Sequence, residues 1–94
     1  MKQHIFPKQA TEIGKEQFYS LFDEGLVDRK DWANYHHKKM TIGKMIEVLT
    51  NMNWNLDIRK MNDSFRVSNV IANGRALSRT ELCDALWEAV KGNL

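Results

Sequence analysis

Residues 54–60, WNLDIRK, alternate between apolar and polar side chains over almost their whole length. The even positions are apolar: Trp54, Leu56 and Ile58. The odd positions between them are polar: Asn55, Asp57 and Arg59. Because successive side chains of a β-strand point to opposite faces, this pattern is typical of a strand with one buried face. The segment therefore predicts a sheet that is apolar on one side and solvated on the other.

A partner strand follows after a short NDS turn. Residues 65–72, FRVSNVIA, place Phe65 and Val67 toward the same core as the first strand. The Asn73-Gly74 pair is a strong signal for a tight turn, which would add a short third strand at residues 75–77. A small antiparallel sheet of two or three strands is therefore expected.

The last helix is the clearest element downstream of the sheet. Ser78, with Glu81 three residues on, has the spacing of a capping box, so the helix is predicted to begin there. Leu82, Leu86 and Val90 recur at helical spacing and form one apolar stripe. We expect this stripe to pack on the sheet.

Three helices are predicted upstream. The first covers residues 15–24, and the third begins at Thr41 and ends near residue 51. The second is expected to begin at Asp28 as N-cap, with Val27 packed on Trp32 as a hydrophobic staple. The predicted order is ααα-ββ(β)-α, an α+β fold in which an antiparallel ribbon packs against helices.

The chain is long enough for a single domain, residues 1–94. We divide it into a lead-in with little regular structure (residues 1–14), two helices (residues 15–40) and an α-β-β-(β)-α unit (residues 41–94). Its composition, 43% hydrophobic and 28% charged residues, predicts a folded protein rather than a disordered one.

The charge balance limits the classes of partner. Fourteen basic and twelve acidic residues leave a net charge of +2, unlike the excess of a DNA-packaging or polybasic membrane protein. No apolar stretch has the length of a signal peptide or a membrane span, so we expect a cytoplasmic protein that does not bind membranes. The lone Cys83 excludes an intramolecular disulfide and a zinc site built on several cysteines.

No catalytic, cofactor or metal site is expected. In residues 31–39, DWANYHHKK, the neighbouring His36 and His37 would point about 100 degrees apart on a helix and cannot chelate one ion well, and His4 is remote in sequence. Cys83 lies in a helical stripe where burial would make its thiol inert. We interpret residues 31–39 as a short capped helix with one aromatic edge buried and a cationic end in water.

Two groups of basic residues could bind an anion. The larger group falls on the hairpin or at the start of the last helix, and the smaller one follows the second helix: Arg59, Lys60, Arg66, Arg75 and Arg79, then Lys38 and Lys39. Arg59 and Arg66 occupy polar positions of their strands and are expected to share an exposed face. A charged, solvated sheet face that discourages edge pairing is the alternative interpretation.

The segment from residue 41 onward is similar to two families. WNLDIRK, SFRVSNVIANGRALS and ELCDALWEAV resemble the small α-β-β-α domain of bacteriophage and prophage proteins, the phage ABA sandwich. That resemblance implies a bacterial host cell and an accessory or host-directed role. Residues 65–90 also resemble a strand pair and second helix of the double-stranded-RNA-binding domain, although only Arg79 stands where that family has clustered lysines.

Two functions therefore remain open. The first is a non-enzymatic protein that docks on another protein or on a second copy of itself. Docking of this kind includes inhibition of a host protein. Its candidate contacts are aromatic residues, of which Trp87 is expected to be the most exposed: Trp32, Tyr35, Trp54 and Trp87. The alternative is a nucleic-acid-binding protein that uses the basic residues named above.

Overall fold

The computed structural model describes residues 1–70 and 76–94, and these residues form the predicted α+β fold. Among them are five α-helices: α1 (Pro7–Ala10), α2 (Lys15–Ser20), α3 (Trp32–His36), α4 (Ile42–Asn51) and α5 (Leu82–Lys91). A 3₁₀ helix (His37–Lys39) follows α3, and the strands are β1 (Leu56–Lys60), β2 (Phe65–Asn69) and β3 (Ala76–Arg79). No described helix is long and apolar enough to cross a membrane.

The three strands form one antiparallel sheet in the order β1-β2-β3. Ile58 lies opposite Val67, and Val67 lies opposite Leu77, so these three side chains share one face. The third strand, expected at residues 75–77, extends instead over Ala76–Arg79. The predicted turn at Asn73-Gly74 lies outside the described residues.

The described helices cover one face of this sheet. Helix α5 packs against β2 and β3, while α4 packs against α5 and beside β1. The core between these layers contains Val67 and the inward side chains of both helices, among them Leu49 and Leu86. Helix α4 begins at the expected residue, because the Thr41 hydroxyl oxygen accepts a hydrogen bond from the Lys44 backbone N–H at 3.1 Å.

No helix of residues 1–70 and 76–94 covers the opposite face, and we call it the open face. Side chains of alternate strand residues point to it, and most of them are polar. Its described strand residues are Asp57, Arg59, Arg66, Ser68, Ala76 and Ser78.

The N-terminal segment is more ordered than the lead-in expected from the sequence. The Ile5 N–H donates to the Met40 carbonyl at 3.2 Å, the Ile42 N–H donates to the Gln3 carbonyl at 3.1 Å, and Ile5 is fully buried. Pro7 then occupies the first turn of α1, where its fixed φ suits a helix and its missing N–H costs nothing.

The second helix is shorter than predicted, and its proposed staple is wrong. It begins at Trp32, with Asp31 at the N-cap, and the Val27 side chain is 63% exposed. The Val27 carbonyl accepts hydrogen bonds from the Tyr19 hydroxyl and from His36 Nε2, both at 2.9 Å. These two bonds hold residue 27 outside the helix.

The start of the last helix also differs from its prediction. Helix α5 begins at Leu82 with Glu81 at the N-cap, whereas Ser78 lies in β3 opposite Arg66. The expected capping box is wrong because the ladder with β2 holds the chain extended as far as Arg79. Arg79 is therefore a strand residue and not part of a helix N-terminus.

Candidate interaction surfaces

Two of the aromatic candidates are buried in the core. Trp87 is only 1% exposed, and its indole Nε1–H donates to Glu12 Oε1 at 2.8 Å. Trp54 is also buried and belongs to the same core cluster. The expectation that Trp87 is the most exposed aromatic is wrong. The N-terminal segment covers the side of α5 that lies opposite its apolar stripe, and Trp87 is on that side.

The other two aromatic candidates differ in exposure although both lie on α3. Trp32 is half-buried, and its ring centroid lies 5.2 Å from that of Phe18. Tyr35 is 54% exposed, with the Arg29 guanidinium carbon 4.0 Å from its ring centroid. Of the four aromatic candidates, Tyr35 is the one whose ring is mostly accessible to a partner.

The three histidines make hydrogen bonds or ring contacts with other residues of the fold. His36 is 1% exposed and its Nε2–H donates to the Val27 carbonyl, so the interpretation of this helix end as solvated is wrong for His36. His4, which is remote in sequence, lies against His37 with ring centroids 5.4 Å apart. Within residues 1–70 and 76–94, no three or more His, Cys, Asp or Glu side chains are grouped so that they could hold a metal ion.

The thiol of Cys83 is enclosed on the inner side of α5. Burial raises the pKa of Cys83 to about 11, so the neutral thiol is the dominant form at physiological pH. A neutral, enclosed thiol is a poor nucleophile. Its role here is that of a small core residue.

A surface depression with a volume of about 540 Å³ lies between α2 and the loop that follows it. The ion pair between Lys15 Nζ and Asp28 Oδ1, 2.7 Å apart, lies on its wall beside Tyr19. The Asp28 carboxylate, predicted to cap a helix, is thus used in this ion pair. The lining contains no cysteine or histidine beside these groups.

Two of the basic candidates meet on the open face. Arg59 on β1 lies directly opposite Arg66 on β2, and both side chains are exposed. Arg59 Nε is 2.8 Å from Asp57 Oδ2 on the same strand. The Arg66 side chain has no hydrogen bond or ion pair with any residue that the structure describes.

The other basic candidates lie elsewhere. Lys60 and Arg79 flank Phe65 on the helix-covered side of the sheet, where Arg79 Nη2 lies 3.5 Å from Glu88 Oε1 of α5. Lys38 and Lys39 lie on the 3₁₀ helix, and Lys39 Nζ is 3.9 Å from Glu24 Oε1. Arg75 lies outside the described residues. The basic group predicted on the hairpin is therefore divided between the two faces.

The residues around the two arginines were not selected by sequence reasoning. Ser68 and Ser78 belong to the same open face. Because serine side chains are short, the longer side chains of Arg59 and Arg66 extend further from the sheet than these neighbours. No aromatic side chain projects from the described strands on this face. The alternation of FRVSNV contains the signal for Ser68, provided that the hairpin register is known.

Comparison with protein families, with curated proteins and with solved structures finds no match for this chain.

Proposed function

We propose that this protein is a non-enzymatic binding protein that docks through its open face on an acidic surface of another protein. The observation that carries this proposal is the direct opposition of Arg59 and Arg66 on a solvent-exposed face that no described helix covers. Like charges directly opposite each other in a sheet cost roughly 0.2–1 kcal/mol of stability. An acidic partner that contacts both guanidinium groups would offset this repulsion, and the relief of the repulsion would contribute to the binding free energy.

The composition of the open face favours a protein partner over a nucleic acid. Single strands are bound by aromatic side chains on which bases stack, and the described strands carry none on this face. Asp57 beside Arg59 also lowers the local positive charge, whereas duplex binding gains from many phosphate contacts. A few carboxylates at fixed positions on a folded protein match two arginines flanked by short serines more closely than a nucleic acid does.

Nucleic-acid binding is the second candidate, because Arg66 is a cation without a partner among the described residues. It makes a distinct prediction for labelled duplex RNA, duplex DNA and single strands. Affinity measured by fluorescence anisotropy should then fall steeply with salt, since each neutralised phosphate releases counterions. Binding that is absent even at low salt would remove this candidate.

The resemblance to phage domains supports a bacterial protein as the partner. In that setting a small domain with a basic face would act on the host by covering an acidic surface, as an accessory protein or an inhibitor. Tyr35, stacked with Arg29, is the accessible aromatic that could extend the contact beyond the sheet.

Affinity capture with charge variants tests the docking proposal. The wild-type protein, an Arg59→Ser/Arg66→Ser variant and a Lys38→Ser/Lys39→Ser control are each immobilised and exposed to nuclease-treated bacterial lysate. Both variants lose two positive charges, but only the first loses them from the open face. We expect a protein retained by the wild type and the control and lost by the arginine variant. Equal retention by all three would exclude this face.

A further inference from the structure

The outer edge of β1 has backbone groups that no described residue uses. The Met61 N–H donates to the Ser64 carbonyl at 2.7 Å, and the Val70 N–H donates to the Asn55 carbonyl at 2.9 Å. Antiparallel pairs alternate between hydrogen-bonded and non-hydrogen-bonded positions, so odd-numbered residues of β1 bond to β2. The N–H and C=O groups of the even-numbered residues point away from the sheet: Leu56, Ile58 and Lys60.

This edge is accessible. β1 is an outer strand in the order β1-β2-β3, and no described segment pairs with its free side. Ile58, at its centre, is a 36% exposed apolar side chain, and Lys60 is exposed. An edge strand with free donors and acceptors is a template for another strand.

We propose that β1 pairs antiparallel with β1 of a second copy of this chain, centred on Ile58. In this register Ile58 lies opposite Ile58 of the other copy, and Leu56 lies opposite Lys60. Because all three residues point their backbone groups outward, each of these pairs is a hydrogen-bonded one. The two sheets then join into one sheet of six strands.

The charges of β1 are complementary to themselves only in this register. Asp57 lies opposite Arg59 of the second copy, and the two-fold axis repeats this pair, giving two cross-strand ion pairs on the joined open faces. A register centred on Lys60 would oppose Asp57 and Asp63, and one centred on Leu56 would leave both charges opposite asparagines. Registers centred on Asp57 or Arg59 would place two like charges opposite each other at the two-fold axis.

The paired strands also bury exposed apolar surface. The two Ile58 side chains lie side by side on the helix-covered side of the sheet, in line with Val67 of each copy. The aliphatic part of Lys60 covers Leu56 of the other copy. The inference concerns the edge of the sheet and holds whether or not the open face binds an acidic partner.

Mixing two charge variants tests this register. Sedimentation equilibrium is measured for the wild type, for Asp57→Arg, for Arg59→Asp and for an equal mixture of the two variants, with circular dichroism as the check of folding. Each variant alone opposes like charges twice, so its dimer dissociation constant should rise about tenfold or more. In the mixture every opposed pair is again Arg with Asp, and heterodimers should form at the wild-type concentration range.

A proline at the centre gives a second test that does not depend on charge. Ile58→Pro removes a donor that points away from β2, which an edge strand tolerates, and should leave the chain monomeric. Ser78→Pro is the matched control, because it removes an outward donor from β3 at the other edge, and it should not change the dimer. A wild-type chain that stays monomeric at millimolar concentration would overturn the proposal, as would a mixture that associates no better than its components.

Discussion

Arg59 on β1 lies directly opposite Arg66 on β2, on the face of the sheet that no described helix covers. The fold gains nothing from this arrangement, since opposed like charges weaken the pairing of two strands. Asp57 balances Arg59 from the same strand, but Arg66 has no charged partner among the described residues. The two side chains that lower the stability of the sheet are therefore also the two that we propose to contact the partner.

Replacing Arg66 with glutamate should make the fold more stable and abolish docking. An opposite charge facing Arg59 changes a repulsive cross-strand pair into an attractive one, worth roughly 0.2–1 kcal/mol in the free energy of unfolding. Urea denaturation measures this change. Ser68→Glu is the matched control, because Ser68 lies opposite Asp57 and the new carboxylate should lower the stability. Two variants that shift stability in the same direction would contradict the assigned register.

Trp87 should be critical for folding, in contrast to Tyr35. Trp87→Ala removes a fully enclosed indole and its hydrogen bond to Glu12, which should lower the free energy of unfolding by about 3–5 kcal/mol. Tyr35→Ala, on a ring that is 54% exposed, should cost about 1 kcal/mol or less. Chemical denaturation followed by circular dichroism compares the two. Similar losses for both would mean that Trp87 is not packed as described.

Cys83 should make the fold sensitive to alkaline pH. Because burial raises its folded pKa to about 11, the stability that the neutral thiol provides is complete below the pKa of the unfolded thiol and is lost as pH rises through the folded value. Between about pH 8 and 11, the wild type should lose on the order of 2 kcal/mol more than Cys83→Ala. Urea denaturation across this range gives the difference. Parallel curves for the two proteins would contradict an enclosed thiol.

Asp84 should contribute to the acid response of the fold. Burial raises the pKa of Asp84, but hydrogen bonds from Lys2 and Gln9 outweigh it and hold the pKa below its ordinary value. The stability from this carboxylate is therefore present above about pH 4 and is lost as pH falls through the lowered folded pKa. Asp84→Asn should be less stable than the wild type at neutral pH and lose less on acidification. Acid titration of both proteins, followed by tryptophan fluorescence, measures the two responses.

Local patterns in the sequence predicted the elements that depend on local interactions. Thr41 is the N-cap of α4, and the alternation around Ile58 corresponds to strand β1, although none of the β1 residues is buried and Ile58 is 36% exposed. In both cases the decisive contacts lie within a few residues, so the sequence contains the necessary information. The face shared by Arg59 and Arg66 followed from the same alternation.

Long-range contacts account for the predictions that were wrong. Trp87 lies outside the main apolar stripe of α5, but Glu12, 75 residues away, covers it with the rest of the N-terminal segment. Ser78 and Glu81 have capping-box spacing, yet pairing with β2 holds Ser78 in a strand. Periodicity along one element does not show what packs on its other side, and tertiary pairing overrides local propensity. The direct opposition of the arginines likewise depends on the hairpin register.

A photo-crosslinking residue on the open face tests the docking proposal most directly. Benzoylphenylalanine is placed at Ser78, which leaves both arginines intact, and at Lys38 on the 3₁₀ helix as the control position. Irradiation in a bacterial lysate should join a defined protein to the probe at Ser78 and not to the probe at Lys38. Adding Arg66→Glu to the Ser78 probe should abolish that product. A product that forms equally at both positions, or that survives Arg66→Glu, would contradict docking through the open face.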